Sequence, residues 1–454
     1  MVDKAASPHD RTQFLGSGSI TQLMRRLSLP AVGSMVSIAV YMLIDAAFIG
    51  LLGTAELGAA SVAFPLFTAV GGVGQVFGTG AASIISRLLG RGDREKANTI
   101  ASAALLGVLF AGGAIATVVN LTLEPLLARI GGTSSIIAVA GGYTRILIFA
   151  NAIIMVNVTL VSIIRAEGNI RRGMYSVMIA TLLNVVLDPI FMFAFDLGLR
   201  GAAIATLIAQ SASLVFLTST FVSNRNTSRI HLGSSLRGLR SLPKLLLVGV
   251  PSFLLQLLGA SAIAFINVAA AKYGDAAVAS VGLTFRVLAV GMYPIYGFTT
   301  GFQPVAGYNY GAGNYDRVLV AIRAAVVWTS VFAVLFTAVV VGFAPSIVLA
   351  FSRDPAVIMI GARMLRFVTL LFPLFGLQIV AAVLFQALGY ALPAALIILA
   401  RQGIFFYPAI ILLPRYFGLN GIILTQPIAD LLTTLLTSIF ALIIIRRLRA
   451  NVPA

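Results

Sequence analysis

The chain of 454 residues contains no cysteine, only two histidines and few charged side chains, which make up 10% of the sequence. The absence of cysteine excludes disulfides, thiolate metal sites and cysteine nucleophiles. His9 and His231 lie in polar stretches, so we expect neither histidine catalysis nor histidine–metal binding within the apolar segments. Soluble domains carry about a quarter charged residues. With 59% hydrophobic residues and a mean hydropathy of +1.02, the chain is predicted to lie in a membrane.

Acidic residues are the scarcer of the charged types, because 14 Asp and Glu stand against 31 Lys and Arg and give a net charge of +17. Such a charge could indicate nucleic-acid binding, but the basic residues cluster at the ends of apolar segments and in short loops, without interleaved aromatic residues. Lys and Arg concentrate in this way in the cytoplasmic loops of membrane proteins. The pattern predicts that both termini are cytoplasmic, and no nucleic-acid partner is expected.

Apolar segments of roughly 17 to 25 residues are long enough to cross a bilayer as helices. About twelve occur, at 27–52, 57–86, 97–122, 135–164, 172–195, 200–222, 245–271, 278–307, 318–343, 356–387, 393–414 and 421–445. We predict an all-α polytopic membrane protein with an N-lobe (25–222) and a C-lobe (245–447), joined by a basic, serine-rich linker (223–244). The remaining residues, 1–24 and 448–454, are predicted to be cytoplasmic tails. The first tail has no apolar core ahead of a cleavage site and does not resemble a signal peptide.

An internal repeat relates the two sets of six spans. In one register, here called the first register, "TAELGAASVAF" (54–64) matches "DAAVASVGLTF" (275–285) without a gap, and Pro30 matches Pro251. In a second register, displaced from the first by a single position, "LGLRGAAIATL" (197–207) matches "FGLNGIILTQP" (417–427). Each unit has an even number of spans, so both insert in the same direction. This predicts two six-helix bundles related by a pseudo-two-fold axis along the membrane normal, with the substrate path between them.

Two carboxylates break the repeat. Asp45 lies opposite Ile266, and Asp188 lies opposite Pro408 or Ala409. The first half of the chain therefore carries two intramembrane acids that the second half lacks at the matching positions. Charged residues within membrane spans are energetically costly, rare and usually functional. These two acids are therefore candidates for a functional site.

Other oxygen-bearing side chains share the membrane layer of the two acids. At a helical rise of 1.5 Å per residue, Asp45, Asp188 and Thr206 lie about 9 to 12 Å inward from the outer ends of their spans. Asn184 and Asp188 share a helix face, as do Tyr41 and Asp45, because each pair is four residues apart. Carboxylate, amide and hydroxyl oxygens suit a hard cation, and close carboxylates share protons. We predict a site for H⁺ or Na⁺; an interhelical hydrogen-bond network without a transport role is the alternative.

Further charges lie within the apolar segments. Arg401 and Asp430 are predicted to form a structural ion pair between the eleventh and twelfth spans. Arg363 and Arg366 stand one turn apart near the start of the tenth span, and Arg286 lies near the start of the eighth. Each of these three arginines could either reach the outer surface or face the cavity between the lobes.

Three stretches carry a family resemblance. "LPAVGSMVSIAVYMLIDAAFIG" (29–50) opens the first span, "SRLLGRGDREKA" (86–97) follows the second, and "GFQPVAGYNYGAGNYDRV" (301–318) is the repeat counterpart of the latter. Together with twelve spans in two repeats, they resemble the multidrug and toxic compound extrusion (MATE) transporters, in the DinF- and MepA-like branch, over essentially the whole chain.

The resemblance implies a cation-driven drug antiporter whose cation site lies in the N-lobe. By matching positions, it assigns cation coupling to Asp45, Asn184, Asp188 and Thr206, support of the polar substrate cavity to Tyr41 and Asn157, and a bend of the first span to Pro30. The other main branch carries acids on the seventh and tenth spans. Here 245–271 and 356–387 contain neither Asp nor Glu, so no cation site is expected in the C-lobe.

We therefore predict a secondary antiporter of a prokaryotic plasma (inner) membrane that exports amphiphilic, often cationic drugs in exchange for H⁺ or Na⁺ by alternating access. It is expected to be monomeric among membrane lipids, without a cofactor. The glycine-rich stretch 71–83 lacks the Gly-Lys-Ser/Thr of a nucleotide-binding loop. A lipid-linked saccharide flippase of the same superfamily is the alternative; twelve spans and two carboxylates disfavour it, whereas Arg286, Arg363 and Arg366 are compatible with it. An intramembrane enzyme is disfavoured because no span contains Cys or His.

Overall fold

The computed structural model of the protein describes residues 15–52, 54–129, 134–222, 239–351 and 354–450. Its helices are α1 (Ile20–Leu52), α2 (Thr54–Gly90), α3 (Arg94–Leu121), α4 (Leu123–Arg129), α5 (Ser134–Ala166), α6 (Ile170–Pro189), α7 (Gly198–Val222), α8 (Leu242–Ala271), α9 (Asp275–Gly311), α10 (Tyr315–Gly342), α11 (Ala344–Leu349), α12 (Pro355–Leu370), α13 (Phe372–Leu388), α14 (Ala391–Leu399), α15 (Phe406–Phe417) and α16 (Leu419–Ala450). Among these described residues there is no β-strand. Much of the predicted N-terminal tail, most of the linker 223–244 and the last four residues fall outside the described part.

Within the described ranges, eleven helices are long and apolar enough to span a membrane; α12 and α13 pass the same test only together, as a pair bent by 46° at the break between them, and would make a twelfth span if they cross as one. The sequence predicts 356–387 as one span. Pro373 lies in the first turn of α13 and has no N–H to donate to Thr369. The Thr369 carbonyl accepts a hydrogen bond from the Thr337 hydroxyl at 3.1 Å. The predicted fold class, an all-α polytopic membrane protein, is confirmed.

The internal repeat is visible in the backbone. Gly92, in the turn after α2, has a φ of 79°, and Gly313, its match in the first register, has a φ of 77°; glycine adopts such positive values without steric cost. The residues that follow, Asp93 and Asn314, are the N-caps of α3 and α10. Two further matched pairs share a positive φ: Gly168 (83°) with Gly389 (87°), and Gly198 (52°) with Gly418 (57°).

The two lobes approach closely at the end of the molecule that carries the α2–α3 and α9–α10 turns, here called the closed end. A Cβ atom on Gly90 would collide with the carbonyl oxygen of Tyr308, and glycine thus permits α2 to contact α9. Side-chain hydrogen bonds cross between the lobes toward this end, from Ser28, Ser83, Arg87, Ser252, Asn309 and Arg317. Another bond crosses elsewhere, from the Tyr293 hydroxyl to the Met42 sulfur.

Arg87 links the lobes at the closed end. Its Nη1 atom donates to the carbonyl of Ala387 at 2.6 Å and to the hydroxyl of Ser83 at 2.6 Å. Ala387 belongs to the last turn of α13, which ends at the left-handed Gly389. Carbonyls in a last helical turn lack intrahelical partners and attract positive charge. The guanidinium of the N-lobe therefore caps a helix of the C-lobe.

Candidate functional site

Helix α6 carries a buried amide and a buried carboxylate one turn apart. Asn184 is 3% exposed and Asp188 is completely buried. With the Asn184 amide oriented to satisfy both its ends, its nitrogen donates to Asp188 Oδ2 at 2.8 Å. Helix α6 ends at Pro189, and a π-helical turn over Ile190–Ala194 follows it. Proline removes a backbone donor, and single π turns are frequent at functional sites.

Thr206 on α7 and Tyr41 on α1 complete this hydrogen-bonded group. The Asn184 oxygen accepts from the Thr206 backbone N–H at 3.0 Å and from its hydroxyl at 3.1 Å, and the Asn184 nitrogen also donates to the Tyr41 hydroxyl at 3.3 Å. One amide thus connects α1, α6 and α7. The structure brings Tyr41, Asn184, Asp188 and Thr206 together as one group. These four residues and Asp45 are called the N-lobe cluster.

Asp45 lies on α1, one turn beyond Tyr41, and is half-buried. It is close enough to Asp188 for the two carboxylates to interact electrostatically. None of the ion pairs among the described residues involves either acid. Asp188 Oδ1 is buried and has no hydrogen-bond partner from the protein. Two like charges in low-dielectric surroundings repel strongly, so a proton or a cation would stabilise the pair.

Tyr143 on α5 also belongs to the N-lobe cluster, although the sequence analysis did not single it out. It is 8% exposed and interacts electrostatically with both Asp45 and Asp188. A single tyrosine in an apolar segment is typical of ordinary packing. Its depth in the membrane could have identified it from the sequence. Tyr143 lies about 12 Å from the outer end of its predicted span, in the layer of the acids.

Asn157, also on α5, reaches the N-lobe cluster through α7. Its Nδ2 atom donates to the Gln210 carbonyl at 2.9 Å and to Gln210 Oε1 at 3.0 Å. Gln210 lies one turn beyond Thr206 on the same helix. The Oδ1 atom of Asn157 is buried without a protein hydrogen-bond partner.

Pro30 lies inside α1, which runs as one helix from Ile20 to Leu52. About 22 Å of helix separate it from Asp45, so it lies toward the closed end. Near it, Val32 packs directly against Gly297 of α9. A rearrangement at Pro30 would therefore act on a contact between the lobes.

The remaining intramembrane charges divide into one pair and three exposed arginines. Arg401 Nε donates to Asp430 Oδ1 at 2.8 Å, and the predicted ion pair is confirmed. Arg286, Arg363 and Arg366 are exposed. The exposed arginines thus differ in surroundings from the buried pair.

The N-lobe cluster brings together oxygens of carboxylate, amide and hydroxyl groups. It is doubly negative when both acids are ionised, and one of its carboxylate oxygens has no protein partner. Hard cations prefer such oxygen ligands, and a pair of close carboxylates can hold a shared proton. The arrangement is therefore suited to the reversible uptake of a proton or a monovalent cation between α1 and α6.

The chain was compared with known families and structures. The MatE family model matches it twice, over residues 30–190 and 251–411. Both ends of the second match correspond to those of the first in the first register of the internal repeat, which pairs Pro30 with Pro251. Together the two matches cover more than half of the chain, with one match in each lobe.

Similar proteins match over almost the full length. The Multidrug export protein MepA of Staphylococcus aureus (strain NCTC 8325 / PS 47) is 27% identical over 445 residues, which cover 97% of this chain and 98% of MepA. A structure described as the outward-facing conformation of a multidrug resistance MATE family transporter of the MOP superfamily has a TM-score of 0.91 at 26% identity, over 97% of this chain and 98% of that one. A crystal structure of MATE in the bent conformation has a TM-score of 0.90 at 25% identity, with the same coverage. The chain therefore belongs to the MatE family, the multidrug and toxic compound extrusion transporters.

Proposed function

We propose that the protein is a multidrug efflux antiporter that exports amphiphilic, often cationic drugs in exchange for H⁺ or Na⁺. Its family consists of multi-pass membrane transporters, and the similar MepA is a multidrug export protein. We further propose that it works as a monomer in a prokaryotic plasma membrane, surrounded by lipid, with both termini in the cytoplasm.

One observation carries the proposal. Asp188 is fully buried next to a second carboxylate, Asp45, and no described basic residue forms an ion pair with either. A buried carboxylate with a purely structural role would be paired with a basic residue of the protein. A buried acid next to a second acid, without a basic partner, needs a mobile cation or proton, and this is what a coupling site requires.

The proposed cycle follows from electrostatics. Uptake of the coupling ion removes the repulsion between Asp45 and Asp188, so α1 and α6 can approach. The change passes along α1 to Pro30, where the helix lacks one backbone hydrogen bond and bends most easily. There α1 contacts α9, so its movement alters the cleft between the lobes and releases the drug. Binding of the next drug inside and release of the ion then reverse the change.

The conformation described here fits the outward-facing stage of that cycle. The tight Gly90 contact and the cross-lobe hydrogen bonds of Arg87 lie at the closed end. With the termini inside, this end is the cytoplasmic one. The similarity to a transporter structure described as outward-facing supports the same assignment.

The test is drug efflux from proteoliposomes under an imposed pH gradient, compared with an imposed Na⁺ gradient. We expect one of the two gradients to drive efflux, and Asp45→Asn to abolish this gradient-driven efflux. The matched control is Asp196→Asn, because Asp196 is an exposed acid beyond α6 with a φ of 54°, which asparagine tolerates well. Wild-type efflux from Asp45→Asn, or efflux that neither gradient drives, would contradict the proposal.

A further inference from the structure

The C-lobe contains a second buried polar group, formed by Gln378, Arg401, Gln426 and Asp430, which we call the paired cluster. Arg401 Nε and Gln426 Nε2 donate to Asp430 Oδ1 at 2.8 and 2.9 Å. Gln378 Nε2 donates to the Asp430 carbonyl at 2.8 Å. The side chains of the ion pair are only 9% and 4% exposed. The transport cycle proposed above does not use this cluster.

The paired cluster lies at the repeat position of the polar residues beside the N-lobe cluster. The first register of the repeat matches Gln378 with Asn157, and the second register matches Asp430 with Gln210. The hydrogen bonds match as well. Asn157 donates to the Gln210 carbonyl at 2.9 Å, just as Gln378 donates to the Asp430 carbonyl at 2.8 Å. The paired cluster therefore corresponds to the Asn157–Gln210 pair, which lies beside the N-lobe cluster.

The correspondence extends to the neighbouring positions. The second register also matches Gln426 with Thr206 of the N-lobe cluster, and Arg401 lies opposite Thr181 or Ala180 of α6 in the two registers. The C-lobe therefore has a guanidinium where the N-lobe has a neutral side chain, on the helix that matches the one carrying Asp188. The two lobes share a scaffold but differ in the charge that it carries.

The charge of the paired cluster is balanced from within. It contains one carboxylate and one guanidinium, whereas the N-lobe cluster contains two carboxylates and no described basic partner. Arginine stays protonated even when buried. The π-helical turn Ala400–Ile404 contains Arg401, and the guanidinium carbon lies 4.5 Å from the centre of the Phe375 ring, a favourable cation–π position. The positive charge is thus fixed in place.

We propose that Arg401 is a built-in counter-cation, which pairs with Asp430 beside the C-lobe equivalent of the N-lobe cluster and closes this acid to mobile ions. The proposal rests on the proposed function of the N-lobe cluster. It makes Arg401 the residue that limits ion coupling to one lobe. Without this guanidinium, the same scaffold would offer a second site for a proton or Na⁺.

The surroundings of Asp430 provide oxygen ligands for such an ion. Gln378, which bonds to the Asp430 carbonyl, has an Oε1 atom that is buried without a protein hydrogen-bond partner, and so is the hydroxyl of Thr433, one turn from Asp430. The charged group facing Asp430 in the described part is Arg401, and Tyr296 on α9 interacts in turn with Arg401. Removal of the guanidinium would leave one carboxylate among neutral oxygens, a suitable environment for a hard monovalent cation.

The test measures ion binding by the C-lobe alone. It uses full-length protein in which Asp45→Asn and Asp188→Asn have removed both acids of the N-lobe cluster. This parent is compared with versions that also carry Arg401→Gln, Arg401→Lys, or Arg401→Gln with Asp430→Asn. Binding of ²²Na⁺ to the purified proteins measures the sodium arm. The infrared band of a protonated carboxyl group, followed as the pH is lowered, measures the proton arm.

We expect Arg401→Gln to gain one binding event in one of the two arms, and Asp430→Asn to abolish that gain. The parent and Arg401→Lys, which keeps a positive charge, should show no gain. A folded Arg401→Gln protein that gains neither ²²Na⁺ binding nor a titrating carboxyl overturns the proposal. If Arg401→Gln unfolds easily, Na⁺ or acid should raise its melting temperature, but not that of the double Arg401–Asp430 variant; the absence of this rescue also counts against the proposal.

This outcome is separable from that of the proposed function. The efflux test with Asp45→Asn examines the N-lobe in a chain with an intact Arg401. The ion-binding test examines Asp430 in a chain whose N-lobe acids have been removed. Either result can therefore fail while the other stands.

Discussion

At the scale of single residues, the two buried carboxylates Asp188 and Asp430 have opposite environments. Asp188 accepts a hydrogen bond from a neutral amide and faces another acid. Asp430 accepts hydrogen bonds from a guanidinium and an amide. A buried charge with a fixed partner is a structural element, whereas one without a partner stays available to an ion. The two acids should therefore respond differently to neutralisation.

We predict that Asp188→Asn abolishes gradient-driven efflux but leaves the melting temperature of the purified protein at or above that of the wild type. Neutralisation removes the repulsion from Asp45, and an asparagine oxygen can still accept from Asn184. Asp430→Asn is the matched comparison, because it leaves Arg401 buried and unpaired, which typically destabilises a protein by about 3–5 kcal/mol. Thermal denaturation followed by tryptophan fluorescence checks both variants. A lower melting temperature for Asp188→Asn than for Asp430→Asn would contradict the assignment of roles.

At the scale of helices, small residues on α2 determine how closely the lobes approach. Backbone atoms of α9 and α8 lie where side chains would project from Gly90 and Gly80. The partner glycine Gly249 on α8 gives the same close approach to Val76. Helices in membranes associate through such small residues, because lipid supplies no hydrophobic force between them. The glycines are therefore a requirement of the closed end and not of helix formation, for which glycine is unfavourable.

We predict that Gly90→Ala opens the closed end, because the added methyl group meets the carbonyl of Tyr308. The chain lacks cysteine, so spin labels can be attached at Lys96→Cys and Asp316→Cys alone, one on each lobe, and their separation measured by pulsed electron paramagnetic resonance. The distribution should shift toward longer distances. Gly113→Ala is the control, since nothing lies within 4 Å of its added methyl group; it should leave the distances unchanged and stabilise α3 by about 0.5–1 kcal/mol. Identical distances in both variants would argue against steric closure by α2.

At the scale of the whole molecule, the two lobes share a scaffold but differ in charge and in role. The backbone repeats at the matched glycines, and the hydrogen bonds of Asn157 and Gln378 repeat between the lobes. The ionisable groups do not repeat. The N-lobe cluster contains two acids, whereas the paired cluster contains one acid and one guanidinium and has no net charge. In the proposed cycle, this asymmetry would let the N-lobe respond to the ion while the C-lobe serves as its rigid partner.

The two lobes communicate through the closed end, and we predict that Arg87→Ala shifts the population toward the open form of this end. The variant loses the charge-assisted bond to the Ala387 carbonyl, and hydrogen bonds to charged groups contribute about 1.5–3 kcal/mol. The same pair of spin labels measures the shift. Arg91→Ala is the control, because Arg91 is an exposed arginine one turn further on. Equal label distances in the Arg87 and Arg91 variants would show that Arg87 does not hold the lobes together.

Much of the site could be predicted from the sequence because acids in apolar segments are rare and expensive. Asp45 and Asp188 stand out in a chain with 14 acidic residues, and helical spacing placed Asn184 and Tyr41 beside them. Tyr143 was missed, since a tyrosine in a span has no such cost and its neighbours are decided by packing. The role of these residues in ion coupling stays a prediction.

The sequence by itself determined the membrane-spanning helices, their duplication and the presence of unmatched acids, because each follows from the local cost of placing polar groups in lipid. Only the tertiary structure decided that span ten is bent at Pro373, that Gln210 bonds to Asn157, and that Gln378 bonds to the Asp430 carbonyl in the matching way. These depend on which helix faces pack together. Hydropathy is uniform around most of these helices, so packing faces cannot be read from it; close approach and hydrogen-bond geometry select them.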